Sequence, residues 1–349
     1  MPPSIPASSP SIPAHSTQAS WPRRVAQLAA HLTAACALFT ASSVALAEDP
    51  SWPNKPIRFI VPIAAGGVSD TQARVLSDEL KKTLNVPVIV DNRPGGNFGI
   101  GMQATAAAPA DGYTMVWIFG AAVALNPMLY SNLPYKVSDF DYLTTIAKGH
   151  HVLAVPKNSP FNTLAQFVDA AKKESGPTSV GVSSAGGTSH LIGEELGGVA
   201  GFRVQPVVYR GEAPAVLDLV GNNLPAFIGV VPSVIEYYKA GTVKILAITA
   251  DQRIPELPDV PTFKELGYKD FLMTYWAGLA VRKGTPPEVS EKLRKAVVAA
   301  MATPAFIEKS QQLADTHLIP STQKEFNDLI KSDANRWGTI IKTRNVNVE

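Results

Sequence analysis

Cysteine is nearly absent from this chain. Cys36 is the single cysteine among 349 residues, so neither a disulfide framework nor a thiolate metal site is available. Histidine is also scarce, with six residues and no His-x-x-x-His pair. His150 and His151 are adjacent, and neighbouring side chains on a strand point to opposite faces, which keeps them from sharing one ion. We therefore expect no metal and no cofactor, with one of this pair facing a binding cleft.

The motifs of catalysis and nucleotide binding are also missing. Without a Gly-x-Ser-x-Gly elbow, Ser184, Ser189 and His190 are interpreted as helix-capping or ligand-binding groups and not as a catalytic triad. Neither Gly-Gly turn, at residues 66–67 or 186–187, is followed by Lys-Ser or Lys-Thr, so there is no P-loop. Residues 99–104 fit the dinucleotide fingerprint only superficially, because a Pro-Gly-Gly-Asn segment separates them from the preceding strand.

An excess of one charge is lacking too. The chain has 31 basic and 29 acidic residues, and both extra basic residues, Arg23 and Arg24, precede the first acid, Glu48. Beyond that point the chain is formally neutral, which disfavours a nucleic-acid or anionic-membrane partner.

The amino terminus has the pattern of an export signal. Arg23 and Arg24 precede an apolar, alanine-rich run over residues 25–40, and small residues lead up to Ala47. A transmembrane anchor is the alternative, but polar residues interrupt the run, which is shorter than the ~20 residues that a span needs. Residues 1–47 are therefore predicted to be a signal peptide with a Pro/Ser-rich leader, and the protein is expected in the periplasm.

Short β-branched or apolar runs alternate with helical patterns, which favours parallel α/β sheets. The remaining 302 residues after Ala47 exceed what one core usually supports, so two domains are expected. The predicted strands are residues 57–62, 86–90, 114–119, 152–155, 179–183, 204–209, 226–230 and 243–249. Predicted helices include residues 70–84, 163–173, 289–301 and 322–341, the last three opened by capping boxes at Thr163, Thr285 and Thr322.

Two glycine-rich turns carry the main functional signal. In each, an apolar strand ends at a Gly-Gly pair, Gly66-Gly67 or Gly186-Gly187, and a polar helix start follows. Such a turn directs backbone N–H groups and the positive end of the helix dipole to one point, which is an anion site. Both turns follow strands, so both are expected at the carboxyl edge of a sheet, where they can grip one ligand.

Motifs along the whole chain beyond the signal resemble the Bug family, the substrate-binding proteins of tripartite tricarboxylate transporters. The matching segments are VPIAAGGVSD (61–70), NRPGGNFGIG (92–101), ADGYT (110–114), residues 126–130, residues 183–194, YRG (209–211), PDVPT (258–262) and GTPPE (284–288). The resemblance implies an α/β type II periplasmic binding protein with two lobes and a ligand cleft between them. It places lobe 1 at residues 48–149 plus 270–349 and lobe 2 at residues 150–269.

The resemblance also implies the binding residues. Residues 64–69 form one jaw, residues of the second turn form the other, and the loop 209–211 lines the cleft. Asp70 is interpreted chiefly as a cap of its own helix. The candidate ligand-binding set is Ile63, Ala64, Ala65, Gly66, Gly67, Val68, Ser69, Asp70, Ser183, Ser184, Gly187, Thr188, Ser189, His190, Tyr209, Gly211 and Val230.

Two departures from the family pattern bear on the ligand. Ile63 replaces a common aromatic residue, and Gly229 with Val230 replaces an Asp-Asn pair. Without those polar side chains, a polar distal group of the ligand would lack partners, and a buried polar group without a partner costs ~1 to 3 kcal/mol. We therefore expect a carboxylate ligand with an apolar or aromatic body, beside Trp117, Phe119 or His151.

The expected function is capture of a small organic carboxylate by a monomeric, non-enzymatic receptor that delivers it to a membrane permease. Two alternatives stay open at this stage. The liganded protein could act on a sensor kinase, or the chain could be a periplasmic α/β enzyme, which the missing motifs disfavour.

The export signal gives the first prediction. We expect cleavage after Ala47, so mass spectrometry of the exported protein should find Glu48 at the mature amino terminus. An acylated Cys36 at that terminus would contradict this site and indicate lipoprotein processing instead.

Overall fold

The computed structural model describes residues 52–348. The predicted signal peptide and its cleavage site lie outside these residues. The strands are β1 Ile57–Val61, β2 Val88–Asn92, β3 Thr114–Phe119, β4 Phe140–Pro156, β5 Thr178–Val182, β6 Val204–Val208, β7 Phe227–Val230, β8 Val243–Ile248, β9 Thr274–Arg282 and β10 His317–Leu318. The α-helices are α1 Val68–Leu84, α2 Gly99–Ala106, α3 Asn126–Leu129, α4 Leu164–Lys173, α5 Thr188–Ala200, α6 Glu212–Val220, α7 Val231–Lys239, α8 Pro287–Met301, α9 Pro304–Gln311 and α10 Gln323–Arg344. A π-helix covers Ala121–Leu125, and a 3-10 helix covers Val137–Asp139.

The strands form one mixed sheet in the order β2-β1-β3-β9-β4-β7-β5-β6, with β8 and β10 also paired to β4. Among the strands named above, β2-β1-β3 and β6-β5-β7 form two groups with parallel pairing. The strands between these groups, β9 and β4, pair antiparallel with their neighbours. The predicted parallel α/β units are therefore present in both groups, whereas the antiparallel pairing of β9 and β4 between them was not predicted.

Strand β4 serves both groups in turn. Its first part, up to His150, pairs with β9, and its second part, from His151, pairs with β7 and β8. The change of partner occurs next to Gly149, where the resemblance places a crossing between lobes. The lobe boundaries themselves stay a prediction.

The chain buries separate clusters of apolar side chains. One contains Ile60, Val116 and Phe326, from β1, β3 and α10. A second joins Leu191 and Ile228 to Trp337 in the later part of α10. Helix α10 therefore packs against both groups of elements, and an ion pair of 2.8 Å between Arg344 and Glu195 fixes its end to α5.

All eight predicted strands are present with shifts of up to two residues, except that residues 152–155 are only the end of the longer β4. Strands β9 and β10 and most of β4 were not predicted. Thr163 and Thr322 cap α4 and α10 as predicted, and Glu325 completes the box at Thr322. The box predicted at Thr163 is not closed, because the Gln166 side chain accepts from the N–H of Asn162 at 2.7 Å instead. The cap at Thr285 is wrong, because α8 begins after Pro286 and the Thr285 hydroxyl donates to the carbonyl of Arg282 at 2.8 Å.

Across residues 52–348, we find no helix whose length and hydropathy would suit it to crossing a lipid bilayer.

Candidate functional site

The first glycine turn lies between the end of β1 and the start of α1. Gly66 has φ +93°, a left-handed conformation that glycine adopts without a steric cost. Its N–H donates to Oδ2 of Asp70 at 2.9 Å. Gly67 is the extended N-cap residue, and having no side chain it leaves the N–H groups of the helix start uncapped.

Asp70 holds this turn together. It is 2% exposed, Arg74 donates to its Oδ2 at 2.9 Å and Asn92 donates to its Oδ1 at 2.9 Å. Burial by itself would raise the pKa of Asp70, but the hydrogen bonds from Arg74, Gly66 and Asn92 outweigh burial and lower the pKa. The geometry agrees with the structural role expected for Asp70, since both carboxylate oxygens already accept hydrogen bonds. A ligand contact through its side chain stays a prediction.

The second turn repeats this arrangement between β5 and α5. Gly186 has φ +65°, and its N–H donates to Nδ1 of His190 at 3.0 Å. Gly187 is the extended N-cap residue and again supplies no capping side chain. In each turn, therefore, the first glycine is tied to the side chain four residues later, and the second leaves the helix N-terminus open.

Hydroxyl groups surround the second turn. The N–H of Ser183 donates to Oγ of Ser189 at 3.2 Å, and the two hydroxyl oxygens are also 3.2 Å apart. The carbonyl of Ser183 accepts from the N–H of Gly211 at 2.9 Å, which fixes the 209–211 loop beside the turn. The Tyr209 hydroxyl donates to Asp218 at 2.7 Å and is already engaged. Burial, with Asp218 nearby, raises the pKa of Tyr209 to about 12.

His151 packs against the second turn. Its Nε2 lies 2.9 Å from the hydroxyl of Thr188, and its ring meets Tyr275 edge-on at 5.7 Å. Desolvation lowers the pKa of this buried imidazole to about 4, so the ring is neutral at pH 7. Of the adjacent pair, His151 is therefore the histidine beside the second turn, whereas His150 contacts Asp315. Whether His151 faces a ligand stays a prediction.

Tyr130 connects a loop of the first parallel group to the second turn. Its hydroxyl donates to the carbonyl of Ala185 at 3.1 Å and accepts from the Asn97 amide at 3.3 Å. Asn97 in turn exchanges hydrogen bonds with Asn126. The loop 92–101, which the sequence marked as part of the family pattern, is thereby joined to the second turn.

Glu212 is a site residue that the sequence analysis missed. It is the first residue of α6, and its Oε2 accepts from the Ser233 hydroxyl at 3.2 Å. Burial raises the pKa of Glu212 to about 7, and hydrogen bonds from Ser183, Ser233 and the backbone of Val230 lower it only in part. An acidic residue in the first turn of a helix is ordinary, so nothing in the sequence singles out Glu212.

The Glu212 carboxyl group corrects the expected character of the cleft. A Cβ placed on Gly229 would collide with Oε2 of Glu212 and with the Phe227 ring. The space beside Gly229 is thus filled partly by the Phe227 ring and partly by the Glu212 carboxyl group. The apolar or aromatic body expected for the ligand stays a prediction.

Of the aromatic residues expected beside the ligand, Trp117 is corrected by the structure, while Phe119 stays a prediction. Trp117 is fully buried and packs near Phe59, with 6.2 Å between ring centroids, so it does not line a cleft. Phe119 is half-buried and stacks on Phe98 at 4.9 Å.

The structure brings the candidate residues together in two groups. Around the second turn, contacts join Ser183 to Ser189, Gly211 and Glu212, and His151 pairs with Val230 across β4 and β7. The first turn is more open, with residues 64–68 exposed. Within residues 52–348, no hydrogen bond joins the first turn directly to the second, so their cooperation on one ligand stays a proposal.

The fold and the two turns define a class of protein. Two parallel strand groups, each ending in an open helix N-terminus, match the architecture of periplasmic binding proteins, and the solved structure of BugD aligns with a TM-score of 0.76. The profile of the TctC family, described as the tripartite tricarboxylate transporter family receptor, matches residues 72–346. The chain belongs to this family of periplasmic substrate-binding proteins.

Curated relatives match over most of their lengths. A UPF0065 protein from the tcbD-tcbE intergenic region of Pseudomonas sp. (strain P51) is 34% identical over 310 residues, covering 88% of this chain and 91% of the relative. Protein BugT of Bordetella pertussis is 31% identical over 305 residues, covering 87% and 93%.

Solved structures include ligand-bound proteins. BugD is 30% identical and covers 85% of this chain and 100% of its own. Rpa4515 of R. palustris, solved with adipate, is 26% identical with TM-score 0.78, covering 85% and 99%. MatC of Rhodopseudomonas palustris, solved with bound malate, is 25% identical with TM-score 0.75, covering 83% and 100%.

The Asp70 network gives a prediction. Both oxygens of this carboxylate accept hydrogen bonds. The side chain of Asp70→Asn has only one oxygen, so its NH2 group must face a donor, either Asn92 or the pair Gly66 and Arg74. We expect a loss of ~1 to 3 kcal/mol in the free energy of unfolding, measured with urea at pH 7. Asp328→Asn, which removes the partner of an exposed Lys324 ion pair, is the matched control and should lose less than ~1 kcal/mol. Equal losses in the two variants would contradict the role of Asp70.

Proposed function

We propose that this protein is a periplasmic receptor that binds a small organic carboxylate between its two glycine turns and delivers it to the membrane subunits of a tripartite tricarboxylate-type transporter. It acts as a monomer and without catalysis. The observation that carries the proposal is the repeated turn, in which each helix N-terminus at the carboxyl end of a parallel strand lacks a side-chain cap.

The physical argument concerns where a carboxylate finds donors. A helix N-terminus presents N–H groups and a partial positive charge, which together stabilise an anion. The second turn adds the hydroxyls of Ser183, Thr188 and Ser189. Hydrogen bonds to a charged oxygen are about twice as strong as neutral ones. The two turns together can hold the two oxygens of one carboxylate, or each turn can hold one carboxylate of a dicarboxylate.

The ligands of related proteins support this class. Adipate and malate are both dicarboxylates, and they are bound by family-like proteins that align over more than four fifths of this chain. Their difference in length and polarity means that the class, and not a particular acid, carries over to this chain.

Glu212 gives this cleft a feature that favours some carboxylates over others. Its carboxyl group shares Ser183 with the second turn, so an ionised Glu212 would stand close to a bound anion. A neutral Glu212 donates a hydrogen bond to the same anion. We therefore propose that the carboxylate binds to the form in which Glu212 is protonated, with a distal group that carries no ammonium.

A thermal-shift screen tests the proposed function. Aliphatic and aromatic mono- and dicarboxylates are compared with amino acids and nucleotides. A ligand at about 100 times its dissociation constant adds about 2.7 kcal/mol, which raises the midpoint by several degrees. Shifts confined to nucleotides, or consumption of the ligand in a mass-balance assay, would contradict a carboxylate receptor.

Gly67→Val tests the first turn. Gly67 has ordinary φ and ψ for a valine, −80° and 174°, and a Cβ there meets only Ile63, at 3.9 Å. The variant should fold, and its side chain should obstruct the ligand, so carboxylate affinity should fall at least about tenfold by calorimetry. Gly176→Val, at a glycine with open space around it, is the matched control and should keep wild-type affinity. Wild-type affinity in Gly67→Val would remove the first turn from the mechanism.

The Glu212 side chain makes binding depend on pH. Its pKa of about 7 rises further when an anion binds beside it, so binding takes up a proton and weakens as pH rises from 6 to 8. Each unit by which anion binding raises the pKa of Glu212 lowers the carboxylate affinity at high pH by up to about tenfold. The groups facing Glu212 are the hydroxyls of Ser183 and Ser233, the Val230 backbone and Tyr275, and burial keeps the pKa of Tyr275 above its usual range.

Calorimetry across this pH range checks the expectation. Glu212→Gln should bind the carboxylate with a flat pH profile, whereas Glu236→Gln, on the surface of α7, should keep the wild-type profile. Affinity that increases with pH would instead indicate a cationic group of the ligand beside Glu212 and would contradict the proposed ligand class.

A further inference from the structure

Two histidines and an aspartate, side chains of the kinds that bind metals, form a cluster. It lies on the face of β4 opposite to His151. His150 comes from β4, Asp315 from the segment between α9 and β10, and His317 from β10. One ligand atom from each of the three lies within 4.8 Å of the others. This grouping is not evident from the sequence, because His150 is 165 residues from Asp315.

The three side chains converge on one carboxylate oxygen. Nδ1 of His150 is 2.9 Å from Oδ1 of Asp315, and Nε2 of His317 is 3.0 Å from the same oxygen. The other oxygen, Oδ2, accepts from the backbone N–H of His150 at 2.5 Å. The two rings are edge-on with 5.8 Å between centroids, so both present a nitrogen to Asp315 without blocking each other.

The charge of Asp315 is not balanced by a permanent cation. Its side chain is fully buried, and within residues 52–348 no lysine or arginine pairs with it. Lys148, opposite His317 in the β10–β4 pairing, is exposed. The Glu256 carboxylate accepts from the Asp315 N–H at 3.4 Å and adds negative charge nearby. Because a buried carboxylate needs a compensating positive charge, the cluster favours a bound cation.

The backbone fixes the donors in place. Asp315 has φ +54°, a left-handed conformation that aspartate adopts more readily than most residues. The β10–β4 ladder holds His317 opposite Lys148, two residues before His150. His317 is 44% exposed and His150 12%, which gives an ion a path from solvent to the buried oxygen.

The distances suit a first-row transition metal. Two ligand atoms about 2.1 Å from a tetrahedral ion lie roughly 3.4 Å apart, so the contacts of 2.9 and 3.0 Å need to open by only a few tenths of an ångström. Two imidazoles and one carboxylate are a donor set of zinc, and harder cations such as Mg²⁺ prefer oxygen alone. Three protein ligands leave one position for water.

We propose that His150, Asp315 and His317 form a Zn²⁺-type metal site that cross-links β10 to β4, with His150 binding through Nδ1 and His317 through Nε2. The site lies outside the residues of the proposed function and does not depend on it. It differs from the expectation, based on sequence spacing, that no metal is bound, and titration with Zn²⁺ decides between the two.

Titration calorimetry with ZnCl₂ at pH 7.5 tests the site, using protein purified without a polyhistidine tag and treated with a chelator. We expect one Zn²⁺ per chain and a higher thermal midpoint with Zn²⁺ than without. His317→Ala changes a half-exposed side chain, should fold, and should weaken Zn²⁺ binding at least about tenfold. Asp315→Asn should do the same, with Asp328→Asn as its matched control at wild-type affinity. Co²⁺ should give the intense visible absorption of a tetrahedral site in the wild type and not in His317→Ala.

Two results would overturn the proposal. The first is wild-type protein that binds no Zn²⁺, in which case the cluster is a hydrogen-bonded structural link between β10 and β4. The second is unchanged Zn²⁺ affinity in His317→Ala, which would show that the ion binds elsewhere on the surface. Because neither measurement uses a carboxylate ligand, failure here leaves the receptor function intact, and failure of the carboxylate screen leaves the metal site intact.

Discussion

The hydrogen bond from the first glycine of each turn to the side chain four residues later is the interaction on which the site depends. It fixes a left-handed glycine at the end of β1 and of β5, and it thereby sets where α1 and α5 begin. The next glycine, lacking a side chain, leaves the helix N-terminus open. Gly66 with Asp70 and Gly186 with His190 are thus two solutions of the same geometric problem, one with a charged acceptor and one with an imidazole.

The difference between the two acceptors shows how the turns are supported. Asp70 needs Arg74 and Asn92 because a buried carboxylate requires several donors. The second turn instead rests on neutral groups, among them the buried imidazole of His151 and the Tyr130 hydroxyl. The first turn is consequently self-contained within its own strand group, while the second is built from segments far apart in sequence.

Local patterns predicted the parts of this structure that depend on neighbouring residues. The strands of both parallel groups, the two turns and the caps at Thr163 and Thr322 were all evident from the sequence. Antiparallel β9 was not, because it is a continuous buried run without alternation and its partners, β3 and β4, lie more than 100 residues away. Glu212 and the His150 cluster were missed for the same reason, since their chemistry comes from residues that only the fold brings together. Thr285 failed because the proline after it took the N-cap position.

The open helix N-termini have a consequence for the evolution of such receptors. Their donors are main-chain N–H groups, which every residue except proline possesses. A substitution to any other residue therefore keeps these donors. In the proposed function, binding of the carboxylate group therefore depends on the backbone, whereas substitution of a side chain such as Glu212 would change which acid is preferred. On this proposal, members of the family can change the acid that they prefer without an evolutionary intermediate that has lost carboxylate binding.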